Sequence, residues 1–131
     1  MAREAQRADQ QVRILIVDDH DLVREGVTAR LDGHPNLKVI GEAATAAAAI
    51  GRVAELTPDV VVLDYQLPDG NGIDLCRHIR DVSPAIKCVI YTGSQLDHEA
   101  ATRAGAAAVV LKRLVGDDLI TTIEQITCTT I

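Results

Sequence analysis

The chain has 131 residues, which fits one domain and hardly two, and 47% of them are hydrophobic, enough for a compact core. Only 2% are aromatic, as two Tyr with no Phe or Trp, so that core must be built from Val, Ile, Leu and Ala. A formal net charge of −6 is a poor match to a phosphate backbone, which argues against nucleic-acid binding by this segment, and no apolar run approaches a membrane span.

Residues 1–11 are polar and charged, with no signal-peptide core, and are expected to form a disordered tail. Val12 to Val17 is a nearly continuous apolar run, a first strand that stops at Asp18-Asp19-His20-Asp21. From Leu22 the spacing turns helical through Val23, Gly26, Val27 and Leu31, and the acidic residues before it are candidate caps. Leu37 to Ile40 reads as a short strand near an edge. Thr45 to Glu55 is Ala-rich and helical, with Thr45 as N-cap. Val60-Val61-Val62-Leu63 is wholly apolar and mostly β-branched, the pattern of a strand buried on both faces. It ends on Asp64, and Pro68, Asp69, Gly70, Asn71 and Gly72 then supply loop chemistry.

A third helix runs from Ile73 to about Val82, a fourth strand from Cys88 to Tyr91, and a short polar helix from Asp97 to Ala104 that Gly105 terminates. A fifth strand runs from Ala106 to Leu111 before Lys112, and Asp117 to Ile126 forms the last helix. Residues 128–131 are expected to be a C-terminal tail. Five β-α alternations imply a parallel sheet with helices on both faces. The three cysteines, Cys76, Cys88 and Cys128, lack CxxC spacing and are odd in number, which favours reduced thiols in a cytoplasmic protein.

The residues at the strand ends carry the chemistry. Asp18 and Asp19 follow the first strand, Asp64 the third, Thr92 the fourth and Lys112 the fifth. In a parallel sheet these ends share one edge. Singly, each has a duller reading: helix cap, turn residue, solvated strand end. Jointly they form an oxygen-rich acidic site that calls for a hard cation, Mg²⁺ or Mn²⁺. A metal of this type, a carboxylate and an ammonium suit phosphoryl chemistry, with Asp64 as acceptor, Lys112 neutralising charge and the Thr92 hydroxyl bonding an oxygen. His20 beside two aspartates would suit a transition metal only with a second His or Cys at ligand spacing, which is missing. His34, His78 and His98 read as surface or loop residues, and Cys88 as a small buried apolar one.

These motifs carry a family likeness. From Val12 to Ile126 the chain resembles the receiver domain of bacterial response regulators, through Ile16-Val17-Asp18-Asp19-His20, the Asp64-to-Gly72 segment with Leu67-Pro68, Thr92-Gly93 and Lys112. The Asp-Asp-His triplet followed by Leu22-Val23-Arg24-Glu25-Gly26 is similar to the NarL/FixJ branch. The resemblance implies a flavodoxin-like (βα)5 three-layer α/β sandwich over residues 12–127, with sheet order 2-1-3-4-5. It implies that Asp64 accepts a phosphoryl group from a sensor histidine kinase, with Lys112 and Thr92 assisting. The implied metal ligands are Asp19, Asp64 and the Gln66 backbone carbonyl, with Asp18 acting through water. Gln66 and Ser94 stand where such domains tune the lifetime of the phosphorylated state. The implied protein is a signalling switch that catalyses only its own phosphotransfer and slow dephosphorylation. It is expected to homodimerise through the last two helices, to meet its kinase through Leu22, Val23 and Val27, and to reach DNA only through a C-terminal helix-turn-helix not contained in these residues.

Two positions depart from the family pattern. Val109 stands where many members place an aromatic that changes rotamer with the threonine, and Arg113 stands where many have Pro. Val109 motivates an alternative: a pseudo-receiver that works by partner binding or dimerisation without phosphorylation. A small phosphohydrolase would need an acid and a substrate cap, and a flavodoxin-like cofactor binder a Gly- or Ser/Thr-rich phosphate loop after the first strand, where the acidic residues repel phosphate in the absence of a metal.

Overall fold

The computed structural model describes residues 11–93, 96–113 and 118–127. The expected tail 1–11 up to residue 10, the expected tail 128–131 with Cys128, and the residues Ser94 and Asp117 lie outside them; Gln11 is described, its Nε2 donating to the Pro35 carbonyl at 3.0 Å. The elements in chain order are β1 (Val12–Val17), α1 (Asp21–Asp32), β2 (Leu37–Ala43), α2 (Ala46–Leu56), β3 (Val60–Leu63), β4 (Gln66–Leu67), β5 (Gly70–Asn71) and α3 (Gly72–Val82). They continue with β6 (Lys87–Thr92), α4 (His98–Arg103), β7 (Ala108–Leu111) and α5 (Leu119–Thr127).

Five strands form one parallel sheet in the order β2-β1-β3-β6-β7. Setting the short β4–β5 hairpin aside, this is the order 2-1-3-4-5. β3 lies at the centre and all four of its residues are buried, as an unbroken apolar run requires. Alternation along the strands sorts the core into two layers. Leu15, Val17, Val61, Leu63, Cys88 and Ile90 face α2, α3 and α4, where they meet Val53, Leu75, Cys76, Ile79 and Ala101. Ile14, Ile16, Val60, Val62, Val89 and Tyr91 face α1 and α5, where they meet Val27, Leu31, Leu119 and Ile123. The chain leaves β1 toward β2 on one side and then crosses back to β3 on the other. The sheet therefore has a switch point, and a crevice opens beyond the ends of β1 and β3.

Several boundaries differ from the sequence reading. β2 extends past Ile40 to Ala43, because a register shift at Ile14/Leu15 lets Gly41, Glu42 and Ala43 pair with Leu15, Ile16 and Val17. β7 begins at Ala108 rather than Ala106. The β4–β5 hairpin was not expected; Pro68-Asp69 turns Gln66–Leu67 back on Gly70–Asn71. No acidic side chain caps α1. Its N-cap is His20, which makes no side-chain cap bond, and only Asp21 lies in the first turn. Asp18 is engaged elsewhere. Thr45 caps α2 as expected by accepting from the Ala48 amide at 3.0 Å, and Thr57 ends that helix in the left-handed region at φ 44°. Val27 belongs to the core and is not available on the surface, whereas Leu22 is 82% exposed. His34 lies in the loop after α1, half-buried, with Nε2 3.1 Å from Glu124 of α5. No helix among the described residues is long and apolar enough to cross a membrane.

Candidate functional site

Backbone pairing fixes the site. The Asp18 amide donates to the Ala43 carbonyl at 3.0 Å and the Asp64 amide to the Val17 carbonyl at 2.9 Å, so each residue continues its ladder one step past its strand. The Lys112 amide likewise donates to the Thr92 carbonyl at 2.9 Å. Asp18, Asp64, Thr92 and Lys112 therefore stand side by side along one edge. Asp18 and Asp64 are only 3% and 6% exposed. Buried carboxylates need a partner, and Lys112 is that partner: its Nζ lies 2.7 Å from Asp18 Oδ2 and 3.3 Å from Asp64 Oδ2. An open depression of about 240 Å³ is lined by His20, Val23, Asp64, Gln66, Thr92, Gly93 and Lys112.

Two contacts shape the loop after Asp64. The Gly72 amide donates to the Tyr65 carbonyl at 2.6 Å, and a Cβ at position 72 would lie 2.5 Å from the Asp64 carbonyl oxygen. Only glycine lets α3 start this close to the acceptor's own backbone. Asp69 accepts from the Ala46 and Ala47 amides at 2.7 and 3.0 Å, which ties the loop to the positive end of α2. Those two bonds hold its carboxyl below the usual range.

The electrostatics follow from the same contacts. Burial pushes the Asp18 carboxyl up. Hydrogen bonds from Lys112 and from the backbone and ring of His20 outweigh it, so the group sits below its ordinary value. His20 Nδ1 lies 2.8 Å from Asp18 Oδ1 and 3.1 Å from Asp19 Oδ1. The bond to Asp18 and the charges of Asp19 and Asp18 raise its imidazole pKa.

One ligand atom each from Asp18, Asp19, His20 and Asp64 lies within 4.8 Å of the others. Three carboxylates and one nitrogen that already faces two of them make a donor set for a hard, oxygen-seeking divalent ion. Among the described residues the cluster holds one His and no Cys.

Six of the residues singled out in the sequence meet at this edge. Asp64, Gln66, Thr92 and Lys112 share the depression, and Asp18 and Asp19 join through their carboxylates. Ser94 lies outside the described residues. Three participants were not foreseen. His20 bonds to the carboxylates, a signal already present in its adjacency to them. Arg24, in the first turn of α1, donates to the Asp18 carbonyl at 2.5 Å and to Glu42 Oε1 at 2.9 Å, which locks the loop to β2. The Tyr91 ring centroid lies 5.6 Å from Lys112 Nζ.

A parallel sheet of this order with an acidic pocket at its switch point and a lysine across it defines a receiver. The chain belongs to the response regulator receiver domain family, whose description matches residues 14–124. It is 41% identical over 117 residues to the DNA-binding transcriptional activator DevR/DosR of Mycobacterium tuberculosis, covering 88% of this chain and 54% of that protein. A solved two-component response regulator of the LuxR family from Aurantimonas sp. SI85-9A1 superposes with a TM-score of 0.84 at 39% identity, covering 88% of this chain and 84% of that one. The signal receiver domain of the putative regulator NarL from M. tuberculosis gives a TM-score of 0.81 at 26% identity over 92% and 99% of the two chains. These relatives place the domain in the NarL/FixJ-like branch. The chain spans about half the length of the curated relatives it matches.

Proposed function

We propose that Asp64 is the phosphoacceptor of this two-component receiver domain. One Asp64 carboxylate oxygen attacks the phosphorus of a sensor kinase's phosphohistidine. A P–O bond forms, the P–N bond breaks, and the imidazole leaves with the electron pair. The observation that supports this most is the position of Lys112 Nζ, 2.7 Å from Asp18 and 3.3 Å from Asp64 at the mouth of the crevice. An ammonium there neutralises charge on the incoming phosphoryl oxygens. Thr92, buried beside it at the end of β6, supplies a hydroxyl to another oxygen. Asp19, Asp64 and the Gln66 backbone carbonyl would hold Mg²⁺ or Mn²⁺, with Asp18 acting through water. When bound, such an ion neutralises phosphoryl oxygens as a Lewis acid.

The aspartyl phosphate switches conformation or association and thereby controls a transcriptional output outside these residues. The name of the DevR/DosR relative, a DNA-binding activator, supports that direction. The domain is not a multiple-turnover enzyme; it catalyses its own loading and slow hydrolysis. Leu22, exposed at the start of α1 beside the site, and Val23 on its rim are offered as kinase contacts, and α4 and α5 as homodimer faces.

Acetyl phosphate with Mg²⁺ should add one phosphoryl mass to the intact protein, and Asp64→Asn should abolish it. Equal labelling of Asp64→Asn would reject the assignment. The pseudo-receiver reading draws on Val109, a stiff β-branched residue packed against the α2–α4 layer. A protein that dimerises but binds no Mg²⁺ in a titration would favour it.

A further inference from the structure

Tyr91 precedes Thr92 in β6 and is one of the few large side chains at the site edge of the sheet. Register decides which way it points. Tyr91 pairs with Val110 and Ile90 pairs with Val109, so Tyr91 and Val109 lie on opposite faces. Val109 packs in the layer of α2, α3 and α4, and Tyr91 in that of α1 and α5. The aromatic next to this site therefore sits under Lys112 and not beneath α4.

Three features define its setting. The ring centroid lies 5.6 Å from Lys112 Nζ, inside the distance at which an ammonium is drawn to the negative face of a ring. The ring is 5% exposed, so that attraction acts in a poorly solvated environment. A buried phenol needs a polar partner, and the Tyr91 hydroxyl accepts from Arg30 Nη1 of α1 at 3.2 Å. Lys112 is thus held between two carboxylates and one ring face. The ring in turn is pinned through its hydroxyl to the last turn of α1.

We infer that Tyr91 is a positioning residue: its ring holds the Lys112 ammonium over Asp18 and Asp64, and its hydroxyl anchors that ring to Arg30. This rests on the phosphoacceptor reading of Asp64. A lysine stem has four rotatable bonds, and small displacements of a charge from the reacting group cost rate steeply. The ring restricts the ammonium to the arc that faces both carboxylates. It also gives the site a material link to α1 that does not pass through Val109.

The test uses the whole protein with Tyr91→Phe, Tyr91→Leu, and a phenylalanine trifluorinated on its ring at position 91. The trifluorinated ring keeps the shape and the packing while removing the negative face. Without any phosphodonor, NMR should show the Lys112 ε-protons shifted upfield by the ring in the wild type and in Tyr91→Phe, and unshifted in Tyr91→Leu. With saturating acetyl phosphate and Mg²⁺, the rate at which Tyr91→Phe loads Asp64 is the reference for the fluorinated ring, since both lack the hydroxyl that meets Arg30. The trifluorinated protein should load about five-fold more slowly, in the range a partly desolvated cation–ring contact supports. Equal rates for the trifluorinated and Tyr91→Phe proteins would overturn the inference. So would an ε-proton shift that persists in folded Tyr91→Leu. Should Tyr91→Leu fail to fold, the comparison of the two near-isosteric rings still decides. Should the wild type take no phosphoryl group at all, the phosphoacceptor reading fails, and the NMR comparison alone decides whether the ring holds the lysine.

Discussion

Replacing Lys112 by methionine removes the ammonium and keeps most of the side-chain volume. Coulomb's law at an effective dielectric of about 20 puts the lost attractions at about 6 kcal/mol for the 2.7 Å contact and about 5 kcal/mol for the 3.3 Å one. Most of that is offset by the desolvation of the lysine itself, which the variant no longer suffers. What has no offset is the repulsion between the two carboxylates left behind. With ligand atoms of Asp18 and Asp64 within 4.8 Å, it amounts to about 3.5 kcal/mol or more at the same dielectric. Stripping one member from a buried ion pair typically costs about 3–5 kcal/mol, which agrees.

We therefore expect Lys112→Met to lose about 3 kcal/mol of stability at neutral pH, a fall in Tm of roughly 10 °C for a domain of this size. The sign of the pH effect follows from both proteins. In the wild type, the depressed Asp18 carboxyl contributes stability above its unfolded pKa, and that contribution is lost as pH falls through its folded pKa. In the variant, Asp18 and Asp64 face each other with no ammonium between them, so acid that neutralises either one relieves their repulsion. The gap between the two proteins should narrow as pH falls from about 7 to about 4. Mg²⁺ should stabilise the variant at neutral pH by mass action. Urea unfolding in EDTA, at neutral and mildly acid pH, measures all of this. A loss under about 1 kcal/mol at neutral pH, or one that does not shrink in acid, would refute the idea that Lys112 holds two mutually repelling carboxylates together.

Other substitutions probe other joints of the site. Gly72→Ala places a Cβ 2.5 Å from the Asp64 carbonyl oxygen and 3.1 Å from Tyr65 Cα, neither of which can swing away. It should cost about 2–3 kcal/mol in urea unfolding and move the Asp64 amide resonance. Asp69→Ala frees the Ala46 and Ala47 amides and should lower the urea midpoint at neutral pH. Because the Asp69 carboxyl is depressed in the folded protein, that difference should vanish as pH falls through its folded pKa. The His20 imidazole should titrate above its ordinary value of 6.5 by NMR. Its stabilising contribution is full below that ordinary value and is lost as pH rises through the folded pKa. Asp18→Asn should bring the titration back down.

Different parts of this molecule were legible for different reasons. β3 could be read directly, because Val60 to Leu63 offers no polar face and so must be covered on both sides. Asp64, Thr92 and Lys112 could be grouped because parallel strands end on one edge, whatever their order. The order itself is not contained in any local pattern, and it came from the family resemblance. Contacts that depend on register were out of reach. That Lys112 bridges Asp18 to Asp64 depends on how strands 94 residues apart are staggered. The opposite facing of Tyr91 and Val109 depends on a pairing offset of one residue between β6 and β7. The acidic run before α1 misled for a related reason. Asp18 sits at capping distance in sequence, yet its carboxylate is claimed by a lysine from the far end of the chain.

The scarcity of aromatic rings has a practical side. The chain has no tryptophan and two tyrosines. Tyr65 follows Asp64 directly and Tyr91 precedes Thr92 directly. Tyrosine emission from these residues thus comes from one ring 5.6 Å from Lys112 Nζ and from one packed against the α2–α4 layer. An ion or a phosphoryl mimic that moves Lys112 alters the surroundings of Tyr91, with no tryptophan among these residues to mask the change, so occupancy can be followed optically on native material.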